Sequence, residues 1–198
     1  INQIVKQCQK QYGAKDDIDF PHMIIYSLPT PFYVDKPINH EKLKEIVIEG
    51  LKKLESFGVY FIAIPCNTVH AYFDDFQNSL KTPLLNIVEE TSKVIKQNQK
   101  SILIATRPTI ESKVYKSVVD LFPDEETQTL VDKIIKKIKN SENINNFQKE
   151  LFRSLKEKNV KTIVIACTDL TSLKIPMEFT VIDSLEELAK AVVKKYLN

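Results

Sequence analysis

Arginine is almost missing from this chain. Only Arg107 and Arg153 occur among 198 residues, and the rest of the 28 basic side chains are lysines. Arginine is the usual bidentate reader of carboxylates, so each of the two is a candidate contact. Charge of one sign is also missing: the net charge is +2, which leaves no electrostatic footprint for nucleic acid. No apolar run approaches the ~20 residues of a membrane span, and no signal-peptide pattern opens the sequence, which begins at Ile1. Cysteine is scarce and odd in number. Three thiols exclude a disulfide framework and predict free cysteines in a reducing cytoplasm. What is present is 43% hydrophobic and 27% charged, enough for a real core and against disorder. The length fits one ordinary domain or two small ones.

Short apolar runs alternate with helical patterns. Strands are expected at "HMIIYSL" (22–28), "VYFIAIP" (59–65), "SILIAT" within 100–106, "KTIVIAC" (161–167) and at the start of "FTVIDSLEELAKAVVKKYLN" (179–198). Helices are expected over 1–13, 40–58 with Gly58 as its cap, 68–80, the latter part of 83–97, 110–122, 126–140, 144–160 and the end of the chain. This alternation predicts an α/β fold with parallel sheets and helices on both faces. Two apolar strands end in cysteines, Cys66 and Cys167, and each is followed by a strand–polar–helix unit. That echo predicts two similar Rossmann-like halves with the active site in the cleft between them, beyond the carboxyl ends of the strands. The first half is expected over 1–97, completed by 184–198, and the second over 98–183. By the same echo, a further strand and loop are expected ahead of Ile1.

The strand ends carry the chemistry. "FIAIPCNTVH" (61–70) places Cys66, Asn67, Thr68 and His70 within five positions, and "TIVIACTDL" (162–170) places Thr168 after Cys167. A free cysteine is most often a small core residue, and Cys8, on the apolar side of a helix, fits that role. Cys66 and Cys167 instead stand where backbone amides emerge at strand-to-helix turns, which favour anions and lower a thiol's pKa. Two thiols on opposite walls of one cleft could remove a proton from one face of a carbon and return one to the other. That is racemisation or epimerisation without a cofactor. The carbanion then needs amide and hydroxyl donors, for which Asn67, Thr68 and Thr168 are placed. His70 could tune Cys66, bind substrate or simply pack at a helix start. Thr68 also suits an N-cap.

"PCNTVH" and "ACTDL" resemble the two signature motifs of the aspartate/glutamate racemase superfamily, in particular its aspartate racemase branch. "PLLNIV", "ATRPTIES" with the following Tyr115, and "VIDS" match in order over nearly the whole chain. The resemblance implies that Cys66 and Cys167 are the acid/base pair, without pyridoxal phosphate or a metal. It implies that Asn67, Thr68 and Thr168 hold the α-carboxylate of an acidic amino acid, aspartate first and glutamate next, and that the protein is a homodimer. Lys139 matches the place of a substrate-facing lysine, and Arg107 and Thr109 of "ATRPT" complete the expected substrate contacts. Three departures stand out. Pro108 replaces a glycine, "SLPTPFYVD" lacks the arginine that reads the distal carboxylate, and Asp169 replaces a glutamate. Rival readings are a maleate isomerase or hydantoin racemase, a thiol hydrolase using Cys66 and His70, a metal site from Cys66, His70 and Cys167, and a non-catalytic metabolite-binding relative. An intact cysteine pair argues against a related decarboxylase, which needs only one.

Overall fold

The computed structural model describes residues 1–32, 37–95 and 100–198. In chain order its elements are α1 (Asn2–Tyr12), α2 (His40–Glu55), β1 (Ile62–Ala63), α3 (Phe73–Asn78), β2 (Leu84–Leu85), α4 (Ile87–Ser92), β3 (Ser101–Ala105), α5 (Arg107–Ser112), α6 (Glu125–Lys139), α7 (Asn145–Glu157), β4 (Thr162–Ala166), β5 (Thr180–Asp183) and α8 (Ser184–Leu197). The fold is α/β, and among the described residues every strand pairing is parallel. Two compact units emerge. One contains 1–64, 72–86 and 188–198, and the other contains 65–71 and 87–187.

In the first unit β1 and β2 form a two-stranded parallel pair, with Ile62 beside Leu84. The apolar stripe of α2 (Leu43, Val47 and Leu51) is buried, as the helical spacing requires. Helix α1 ends on Gly13, which adopts φ 74° and donates to the Gln9 carbonyl (3.1 Å), while Ala14 N–H donates to the Cys8 carbonyl (3.4 Å). Cys8 is fully buried with Ala14 and Val193. The strand expected at 22–28 is not formed. That stretch has no regular secondary structure and no ladder partner among the described residues, and Ile24, Ile25 and Tyr26 are exposed. Side-chain packing holds it instead: Leu28 lies so close on Gly50 that a Cβ there would stand 2.6 Å from Leu28 Cδ2. The strand expected over 59–65 shrinks to its two ladder residues.

The second unit is built on a three-stranded parallel sheet of order β3–β4–β5. Strands β3 and β4 are buried at every position, which is why they read as continuous apolar runs. Alternate residues serve opposite faces. Ile102, Ile104, Ile163 and Ile165 pack with Val131 and Ile134 of α6 and Leu151 and Leu155 of α7. Leu103, Ala105, Val164 and Ala166 pack with Tyr115 and Val119. The helix expected over 110–122 starts earlier, at Arg107 with Pro108 in its first turn, and ends where Lys113 adopts φ 58°. The chain then returns to the open edge of β3, where Leu121 N–H donates to the Ser101 carbonyl (2.9 Å).

The helix expected over 68–80 is two pieces, a 3₁₀ turn at Thr68–Tyr72 followed by α3. The reason is local. In an α-helix the Cys66 carbonyl would accept the backbone N–H four residues on. Here the His70 N–H donates to the Asn67 carbonyl (3.0 Å), and the His70 imidazole Nδ1 takes the Cys66 carbonyl (2.7 Å). The last two residues expected for the 83–97 helix, and 33–35 of "SLPTPFYVD", lie outside the described residues. No described helix is long and apolar enough to cross a membrane.

Candidate active site

All nine residues singled out from the sequence belong to the second unit. Cys167 follows β4 directly and is 6% exposed. A 3₁₀ turn, Thr168–Ser172, follows it; the backbone N–H of Asp169 is directed at its sulfur, and that of Leu170, which donates to the Cys167 carbonyl (3.0 Å), lies near it as well. Cys66 is half-buried, and its sulfur is met by the N–H groups of Val69 and Thr68 and by the Thr68 hydroxyl. Each thiol is thus held by amides two and three residues downstream. Burial pushes the Cys167 thiol up to about 12; the Asp169 carboxylate and Cys66 push the same way, against the two amides. Burial and Asp169 also raise Cys66, again opposed by its donors. The two sulfurs therefore share one electrostatic environment, and Asp169 faces both.

The α-carboxylate donors expected from the sequence occupy different situations. Thr68 stands in a triangle of hydroxyls: 3.0 Å to Thr106, 3.0 Å to Thr109, and 2.9 Å between Thr106 and Thr109. Asn67 is buried, accepts from the Tyr115 hydroxyl (2.7 Å) and donates to Ser184 Oγ (2.9 Å). An asparagine amide has two N–H donors, and Ser184 takes one of them. Thr168, half-buried, opens the turn after Cys167.

The cations lie elsewhere. Lys139 pairs with Asp169 (3.0 Å), which brings it to the rim of the thiol pair. Arg107 is not brought to the thiols by any of its hydrogen bonds. Its guanidinium clasps Glu125 at 2.8 and 2.9 Å and Asp132 at 3.0 Å, and those carboxylates hold it charged. Among the described residues no group of three or more His, Cys, Asp or Glu could hold a metal ion.

Sequence reasoning passed over Thr106, Ser184 and Asp169 as site residues. Thr106 had a signal: it is the residue before a helix with proline in its first turn, and its side chain accepts the Thr109 N–H as an N-cap. Thr109 is fully buried, so Thr109→Val would remove one corner of the triangle and leave Thr68 and Thr106 only their mutual contact (3.0 Å) within it. We expect that variant to lose about 1–3 kcal/mol of stability in denaturant titration, with turnover reduced as Thr68 loses its orientation.

Residues 2–192 match the family model described as Asp/Glu/Hydantoin racemase. The chain is 42% identical to the broad specificity amino-acid racemase RacX of Bacillus subtilis, over its whole length and 91% of that protein. Among solved structures, it superposes on Picrophilus torridus aspartate racemase with a TM-score of 0.75 at 26% identity, covering 98% of this chain and 87% of that one. An aspartate racemase homologue from Pyrococcus horikoshii shares the fold, with a TM-score of 0.76 at 20% identity, covering 100% and 92%. The chain belongs to the Asp/Glu/hydantoin racemase family. It is an isomerase of the racemase type.

Proposed function

We propose that this protein racemises amino acids at Cα without a cofactor, with Cys66 and Cys167 as paired base and acid. The observation that carries this reading is the pair itself: a half-buried and a buried thiol, each cradled by two backbone amides, with the charge of Cys66 reaching Cys167. One sulfur, as thiolate, takes the Cα proton. The C–H electron pair moves into the carboxylate to give an enediolate. The other thiol then delivers its proton to the opposite face and is left as the thiolate. Atoms and charge balance, and the two sulfurs have exchanged roles. Thr68, Thr168 and the remaining Asn67 N–H supply donors to the developing negative charge.

Broad side-chain tolerance follows in this reading from the commitment of the cations. Arg107 is engaged by Glu125 and Asp132, and Lys139 by Asp169, so a distal carboxylate meets a modest attraction rather than a dedicated reader. Aspartate and glutamate remain the first substrates to try, because Lys139 stands at the rim. The test is deuterium uptake at Cα in deuterated water, followed by NMR over a panel of L- and D-amino acids. Inversion accompanied by exchange for several amino acids is the expected result. Silence across the panel would overturn the amino-acid reading and move attention to maleate or hydantoins.

The raised thiols set a pH dependence. A base must be a thiolate, and burial opposes its formation in the free protein. We expect kcat/KM to rise about tenfold per pH unit between roughly pH 7 and 9, through the range where an ordinary cysteine near 8.5 would level off. A profile flat from neutral pH would show that the thiolate already exists in the free protein.

A further inference from the structure

Resting on the racemase reading, we propose that His70 is a positioning residue that shapes the Cys66 turn by holding the Cys66 carbonyl from the side. The imidazole occupies the place a backbone N–H would fill in an α-helix, and so keeps the chain wound as a 3₁₀ turn. The N–H groups of Thr68 and Val69, the first two residues of the turn, have no partner within it and turn to the Cys66 sulfur, and the clamp on the Cys66 carbonyl fixes the peptide from which that sulfur hangs. A carbonyl only accepts, so Nδ1 carries the proton. Nε2 then has a lone pair, which faces the backbone N–H of Ile87 at 3.4 Å. Both ring nitrogens are engaged by backbone groups, which suits holding rather than proton transfer.

The clamp is part of a longer chain of buried contacts. The Ile87 carbonyl accepts from the Thr91 hydroxyl (2.6 Å). Thr91, whose one hydroxyl proton goes to that carbonyl, lies beside the Tyr115 hydroxyl, which donates to Asn67 Oδ1, and Asn67 donates to Ser184. The path leaves from the Cys66 carbonyl and returns to the Asn67 side chain, so it grips one peptide unit from both ends. His70 is 5% exposed, Asn67 2%, and Ile87, Thr91, Tyr115 and Ser184 fully buried. A buried polar network with partners at each step is rigid and intolerant of losing a member. Among the described residues, no imidazole holds the carbonyl of the second thiol. Its carbonyl accepts the Leu170 N–H (3.0 Å), and the residue four positions on is Thr171, whose hydroxyl donates to the Thr168 carbonyl (3.0 Å). Only the Cys66 turn depends on an imidazole.

This asymmetry makes the test selective. Iodoacetamide alkylation of Cys66 and Cys167 is followed separately by peptide mass spectrometry, at one fixed, slightly alkaline pH, in the parent and in H70A, H70Q and H70N. An asparagine amide reaches the Nδ1 position and can donate to the same carbonyl, whereas a glutamine amide reaches the Nε2 position. Cys66 is expected to react about tenfold more slowly in H70A and H70Q, with Cys167 within about twofold of the parent and H70N recovering most of the loss. The readout needs no substrate, so it stands whether or not Cα exchange is found. The proposal is overturned if both cysteines change together, if Cys66 does not change, or if H70N is no better than H70Q. Should H70A fail to fold, the comparison of H70N with H70Q decides.

Discussion

Cys66→Ser and Cys167→Ser are each expected to lower racemisation by about a thousandfold, within the range a positioned acid or base supplies. Serine keeps the shape of the side chain, and its hydroxyl still accepts the N–H groups of Thr68 and Val69 or of Asp169 and Leu170. What is lost is an ionisable group that can carry a proton away from carbon. The two-thiol cycle makes a sharper statement than loss of rate. Inversion uses both sulfurs in either direction, so both variants lose it for both enantiomers. Removal and return of a proton on one face uses only one sulfur. Residual Cα exchange without inversion is therefore expected for one enantiomer in Cys66→Ser and for the other in Cys167→Ser. NMR of deuterium uptake, run beside chiral chromatography, measures both quantities. A one-thiol hydrolase predicts instead that Cys167→Ser is nearly silent, and a mild effect there would sink the paired mechanism.

Much of the scaffold was legible because burial writes a simple pattern. "SILIA" and "TIVIA" are covered on both faces, and the continuous apolar runs say so. Cys167 is then fixed by its place at the end of β4. The Cys66 side was harder. The spacing of "TVHAYFDDF" is helical, but the imidazole of His70 takes the carbonyl that a helix would have used, and no propensity registers that exchange. Partners far apart in sequence were equally hidden. Arg107 looked like a substrate contact because arginine is rare, yet its carboxylates stand 18 and 25 residues on, at Glu125 and Asp132. Segment 22–28 failed for a related reason: its apolar residues suit a strand, but a strand exists only with a neighbour, and Leu28 found the bare surface of Gly50 instead. Asp169 looked like a minor change within a motif. Its importance is that its charge reaches both thiols while Lys139 balances it.

Leu170→Ala is expected to cost roughly 3–5 kcal/mol, as truncation of a fully buried leucine does when the site cannot collapse. The melting midpoint should fall by about 10 °C for a chain of this size. Leu155→Ala is the matched comparison. Both leucines are completely buried, and both belong to the cluster that packs Ile163 and Ile165 against α6 and α7. Leu155 sits on α7, whereas Leu170 sits in the turn that donates its backbone N–H toward Cys167. Equal losses of stability should therefore have unequal consequences. In Leu155→Ala, measured well below the transition, Cys167 alkylation and turnover remain near the parent's. In Leu170→Ala the cavity opens directly beneath the turn, the amides lose their aim at the sulfur, and Cys167 alkylation slows by about tenfold along with turnover. If the two variants behave alike at the thiol, the turn is carried by its own backbone bonds, and the cluster beneath it supports the fold without setting the site.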